Sequence, residues 1–180
     1  VDKKTLVILI SQSGETADTL AALREARKKG AKVLGIVNVL GSSIAREADG
    51  VIYSHAGPEM AVASTKAYTA QLGIIYLFSL YLASLNGKRS PKKIKAYLSD
   101  LRKIPQLMQK ILEKYGTEKS DMKGKAREFN REYHRRLKLY YQGDPEGRKR
   151  APNCFFLFLG RNVNYPSALE GALKLKEISY

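Results

Sequence analysis

The chain has 180 residues, 44% of them hydrophobic, and a formal net charge of +15; this is enough apolar material for a packed core and excludes a disordered chain. Its one cysteine, Cys154, excludes a disulfide framework and points to a reducing compartment, the cytoplasm. The charge is local, since residues 86–150 carry 20 Lys and Arg against 8 Asp and Glu, or +12 of the total.

In chain order, residues 6–10 are five consecutive apolar side chains, rich in Val and Ile, as suits a parallel strand covered on both faces. They run into Ser11-Gln-Ser-Gly-Glu-Thr16, and residues 17–29 then read as a helix closed by Gly30. At such a turn the opening N–H groups of the helix lack internal partners and the macrodipole adds positive charge. A lone hydroxyl there would read as an N-cap. Three hydroxyls and a glycine within six residues read instead as a phosphate cradle. The Walker spacing and its lysine are absent, which favours a phosphate smaller than a nucleoside triphosphate.

A second strand is expected over 32–38, a loop with a short helix over 41–50, and a third strand over 51–54. Strand, helix, strand, helix, strand predicts an α/β fold with a parallel sheet. A long helix is expected over 59–85. Its greasiest part, 72–85, is shorter than the roughly 20 residues of a membrane helix and reads as a buried core helix, with no signal peptide ahead of the sheet. Residues 90–104 space their apolar positions at 94, 97, 98 and 101, a helical face interrupted by Pro105. Further helices are expected over 106–115 and 123–141, a turn over 142–147, a new strand over 154–159, a loop over 160–167 and a helix over 168–179.

Tyr133, Tyr140 and Tyr141 among Arg131, Arg135, Arg136 and Lys138 could in principle stack on single-stranded nucleic acid. With no recognised motif beside them, a solvated helical connector, or one facing an acidic partner, is the stronger reading, and neither nucleic acid nor membrane is the expected partner. Ser64-Thr65-Lys66 reads, on its own, as a helix start with a surface lysine. Glu170, Lys174 and Glu177 share one face of the last helix, either as a salt-bridge stripe or as an acid/base set; on the residues alone the stripe is favoured.

Three segments carry a resemblance: 11–19, the pair 57–59 with 62–67, and 168–180. Together they resemble the isomerase half of the glutamine–fructose-6-phosphate aminotransferases, a tandem of sugar isomerase (SIS) domains. The first segment is common to SIS proteins and specifies only phosphosugar binding; the last is more restricted. The resemblance covers about 1–85 and 153–180. It implies an SIS-type three-layer αβα domain at 1–85, a basic helical connector at 86–152 and the start of a second SIS domain at 153–180.

The resemblance further implies that Ser11, Gln12, Ser13 and Thr16 bind the phosphate of fructose 6-phosphate or glucosamine 6-phosphate. Val62, through its backbone, and Ser64 would contact the sugar. Glu177 would move a proton between C1 and C2 while Lys174 handles a proton at the adjacent oxygen, with Arg161 and Glu170 in support. No metal or organic cofactor is implied, and the expected partners are the phosphosugar substrate, a second copy of the chain in a homodimer, and a glutaminase domain that releases ammonia in a full-length enzyme. Val1 and a stop inside a helix suggest a fragment, expected to be inactive alone. Asn162 stands where the family more often has Gly, Tyr68 where it has Phe, and 133–151 reads as an insertion. An SIS aminosugar-phosphate deaminase or deglycase, or a non-catalytic phosphosugar-binding module, are the alternatives.

Overall fold

The computed structural model of the chain describes residues 1–60, 63–115, 124, 127, 128, 131, 132, 134, 135 and 157–179. It divides into two compact units, Val1–Ile94 with Lys176–Tyr180, and Lys95–Leu175.

The first unit is built on a parallel sheet of β1 (Leu6–Ser11), β2 (Lys32–Val37) and β3 (Gly50–Tyr53), in the order β1-β2-β3. Ile10 stands beside Ile36, and Ile36 beside Ile52. The connections are α1 (Ala17–Lys28) and α2 (Ser43–Glu47). The α/β reading and its parallel sheet are therefore what the chain adopts, with boundaries within two residues of those read from the pattern.

Side chains alternate across each strand, so Leu9, Val33 and Val37 share one face. There they meet Leu23 and Ala26 of α1, Ala31, and Ile44 of α2 in a single buried cluster. Each large side chain hidden in this way contributes roughly 1.5–3 kcal/mol. Gly35 lets α2 come close, because a Cβ at that position would lie 2.9 Å from Ile44 Cγ2. Gly30 and Ala31 end α1 by donating their N–H groups to the carbonyls of Arg27 and Ala26. Asp49 fixes the turn into β3, accepting from the Val33 N–H and from Lys32 Nζ, each at 2.9 Å.

Several expectations are corrected. The other face of β1 is open: Leu6, Ile8 and Ile10 are 51%, 41% and 43% exposed, so this strand is covered on one side only. The helix expected over 59–85 is α3 (Lys66–Leu85), which starts seven residues later because Pro58 and Glu59 lie in an extended loop. Nor is α3 a buried core helix. Only Ala67 is buried, while Ile75, Tyr76, Leu77, Tyr81, Leu82 and Leu85 are exposed. Ile74, Leu77, Phe78 and Tyr81 line an apolar groove with Ile52 of β3, so the helix meets the sheet at one strand. With 20 residues it reaches the length and apolar composition of a membrane-crossing helix, a test that core helices of soluble proteins also pass.

The helix α4 (Pro91–Tyr115) runs through Pro105 without a break. Pro105 removes one N–H and crowds the carbonyl of Leu101, a cost of about 3 kcal/mol in a helix interior. The apolar stripe continues in phase at Ile104, Leu107, Met108, Ile111 and Leu112, which keeps one helical period on both sides. The described residues of the expected 123–141 helix are all helical. Of the strand expected over 154–159, residues 157–159 belong to no strand, and 154–156 lie outside the described residues. A strand needs a neighbour for its ladder; Phe158 instead packs its ring edge against Gly171, 2.9 Å from where a Cβ would stand. A short 3-10 turn, Asn162–Asn164, leads into α5 (Tyr165–Ser179), three residues longer at its start than the pattern indicated.

Candidate functional site

Ser11, Gln12, Ser13 and Thr16 are brought together on the loop that leaves the C-terminal end of β1. Gly14 sits at its centre with φ +67°, the left-handed region that favours glycine. The buried Ser11 Oγ accepts the Gly14 N–H at 3.0 Å and lies 3.2 Å from Thr16 Oγ1. Ser13 Oγ accepts the Glu15 N–H at 3.2 Å. Thr16 is the N-cap of α1 yet makes no side-chain capping bond. Its hydroxyl is turned to Ser11, so the side chain does not cap the opening N–H groups of α1. The loop thus combines a tight turn, clustered hydroxyls and a helix start.

A second turn braces the loop from behind. The Ser43 N–H donates to Glu15 Oε1 at 2.7 Å, and the Ile44 N–H donates to the Gly14 carbonyl at 3.0 Å. Hydrogen bonds from Ser43, through its side chain first and its backbone second, hold the Glu15 carboxyl below the usual carboxylate range. Glu15 is thus a charged strut tied away from the loop. Ser42, the residue before these two donors, is 3% exposed.

Beside the loop lies a cavity of about 500 Å³, lined among others by Gln12, Asn38, His55, Gly57 and Glu59. It opens beyond the carboxyl ends of all three strands, the usual place for ligands in parallel sheets. Asn38 at the end of β2 organises its far wall: Oδ1 accepts from Ser54 Oγ and the Ala56 N–H, both at 2.8 Å, and Nδ2 donates to the Gly57 carbonyl at 2.7 Å. Glu59 Oε2 accepts the Ala67 N–H at 3.3 Å and so caps α3. Ser64 lies in the loop just before that helix, and Val62 lies outside the described residues. His55, Ser64 and Asn162 are the non-glycine residues with left-handed backbone among the described residues, at φ 49°, 41° and 52°. Such conformations are costly and concentrate at working sites. Here one lines the cavity, one is a residue expected to touch sugar, and one follows Arg161.

The remaining candidates belong to α5 and the turn before it. Lys174 Nζ lies 3.2 Å from Glu170 Oε1, one helical turn away, and both side chains are about three-quarters buried. Glu177 is the next residue on that face and is exposed. Arg161 is exposed and precedes the 3-10 turn. Asn162 adopts the backbone conformation a glycine takes most readily, so its difference from the family's commoner Gly keeps the turn at a modest cost in strain. No three His, Cys, Asp or Glu side chains gather to hold a metal ion among the described residues.

Sequence reasoning missed Asn38, Ser42 and Glu15 as parts of this assembly. The readable signal for the first was a polar residue at the carboxyl end of a buried strand. For the other two there was only a Gly-Ser-Ser turn and an exposed acid, which become informative once the fold sets them together.

The SIS domain family model matches residues 1–81. The chain is 46% identical over its full length to the glutamine–fructose-6-phosphate aminotransferase (isomerizing) of Corynebacterium efficiens, covering 25% of it. It is 47% identical to that of Clostridium tetani and 42% to that of Thermus thermophilus, covering 26% of each. The chain therefore spans about a quarter of the length of the curated relatives it matches. Among solved structures, the C-terminal domain of glucosamine-fructose-6-phosphate aminotransferase from Francisella tularensis superposes on the whole chain with a TM-score of 0.73 at 37% identity, and 44% of that domain is covered.

Proposed function

We propose that the chain, whose residues 1–81 match the SIS domain family model, forms the isomerase part of a glutamine–fructose-6-phosphate aminotransferase, binding fructose 6-phosphate and glucosamine 6-phosphate. The observation that carries this reading is the Ser11–Thr16 loop, wound around Gly14 at the head of α1 and set beside a cavity large enough for a hexose.

In this reading the phosphate takes the hydroxyls of Ser11, Ser13 and Thr16, the Gln12 side chain and the first N–H groups of α1. These are neutral donors in a preset geometry, so the anion replaces water without a fixed countercharge. Gln12 also lines the cavity and so connects the phosphate to the sugar body. Ser64 and the Val62 backbone contact the sugar. Isomerisation of fructosimine 6-phosphate removes a proton from C1 and delivers one to C2, through an enolamine in which both carbons are planar. Glu177 is the carboxylate that carries that proton. The C1 hydroxyl gives up its own proton as C1 becomes the aldehyde, the imine nitrogen takes one up as it becomes the amine, and Lys174, positioned by Glu170, manages the proton at the C1 oxygen. Arg161 supports the negative charge nearby. Ammonia comes from a glutaminase domain in the full-length chain, two copies form the working enzyme, and the cytoplasm supplies the substrates.

A thermal-shift titration of the intact enzyme tests the reading. Glucosamine 6-phosphate at 100 times its Kd should add about 2.7 kcal/mol, and unphosphorylated glucosamine far less. Stabilisation by single-stranded RNA with none by the sugar phosphate would overturn it.

A further inference from the structure

Ser42 is enclosed, and its Oγ has no hydrogen-bond partner among the described residues. Proteins seldom leave a buried hydroxyl unpaired. Its place is informative: a Cβ added to Gly14 would lie 2.1 Å from Ser42 Oγ and 2.6 Å from Ser42 Cβ. The Ser42 side chain therefore occupies the space a larger residue at 14 would fill, directly beneath the centre of the anion loop. The two residues that follow it tie this turn to the loop, by the Ser43 N–H on Glu15 and the Ile44 N–H on the Gly14 carbonyl.

We propose that Ser42 is a positioning residue for the bound phosphate, its hydroxyl finding a partner in the loop backbone only when the anion is in place. This rests on the phosphosugar reading above. The Gly14 N–H is turned inward to Ser11 Oγ. An anion draws N–H groups of this segment toward itself. The carbonyl of each peptide points opposite to its N–H, so the turn brings carbonyl oxygen toward the floor, where the Ser42 O–H is the buried donor. The bond that Ser42 Oγ lacks here is then made in the complex, and part of the binding free energy comes from a residue that never touches the ligand.

The test uses the intact enzyme and the variants Ser42→Ala and Ser42→Cys, with Kd for glucosamine 6-phosphate and for inorganic phosphate, steady-state KM and kcat, and the Tm of the unliganded protein. For Ser42→Ala both dissociation constants and KM should rise about tenfold, kcat should stay within twofold, and the unliganded Tm should hold or rise, since the deleted hydroxyl had no partner to lose. Ser42→Cys keeps the bulk but donates weakly, and should fall between. A lower Tm with unchanged Kd would make Ser42 a structural residue and overturn the proposal, as would a cysteine variant that binds like the wild type. If the wild type binds inorganic phosphate but not the phosphosugar, the functional reading fails while the phosphate arm still decides the role of Ser42. If Ser42→Ala spares phosphate binding, the Ser42 role falls and the functional reading stands.

Discussion

Two residues divide the proposed work between holding and reacting. Ser13 lies in the cradle, so Ser13→Ala in the full-length enzyme should raise KM for fructose 6-phosphate about tenfold with kcat little changed. Glu177→Gln should lower kcat by roughly 10²–10⁴-fold, the span of general acid–base catalysis, with KM nearly constant. Steady-state kinetics separates the two, and the reverse pattern would mean the roles are exchanged. Glu15 gives a pH dependence of known sign. Its carboxyl is lowered in the folded protein by Ser43, so the strut contributes fully above the unfolded value of about 4.3 and is lost as pH falls through the lower folded value. The difference in unfolding temperature between wild type and Glu15→Gln, measured without ligand, should be present at neutral pH and close below pH 4. A difference that widened on acidification would exclude the strut.

Packing of elements offers a sharper test of the fold. Gly35→Ala should destabilise by about 1–3 kcal/mol through overpacking, because its new methyl meets Ile44 Cγ2 at 2.9 Å. Adding Ile44→Leu, which removes that branch, should restore part of the loss in urea unfolding. The three strands, α1 and α2 were legible because the chain alternates short apolar runs with an amphipathic helix and marks its turns with Gly30, Gly41 and Gly50. The turn at the end of β1 was legible because three hydroxyls and Gly14 are clustered in sequence. Ser42 was not, since nothing local distinguishes a buried serine under a loop from a solvent-exposed N-cap. The start of α3 was misjudged because Glu59 caps it from seven residues upstream of Lys66, across a loop whose left-handed Ser64 has no sequence marker. Pro105 misled in the other direction: a local breaker was outvoted by an apolar stripe that stays in phase across it. The run at 157–159 has strand composition, yet strand pairing is set by neighbours and not by composition.

For the molecule as a whole, residues 86–150 carry +12 of the +15 charge, a stretch of sequence separate from the cradle loop and the residues lining its cavity. Any association with single-stranded RNA should therefore be electrostatic, falling by orders of magnitude between 50 and 200 mM salt, while glucosamine 6-phosphate binding persists over the same range. Fluorescence anisotropy with labelled RNA beside sugar-phosphate titrations would show this; salt-resistant, sequence-dependent RNA binding would make the basic region a reader of nucleic acid. Charge also governs the smallest site. In the cradle Ser11, Gly14 and Thr16 satisfy one another, so at these three residues a guest would replace internal bonds. A neutral hexose exchanges like for like and gains nothing. A dianion would make each replaced bond a stronger, charge-assisted one, so under the proposed function a site built from uncharged groups should refuse the dephosphorylated sugar through self-sufficiency.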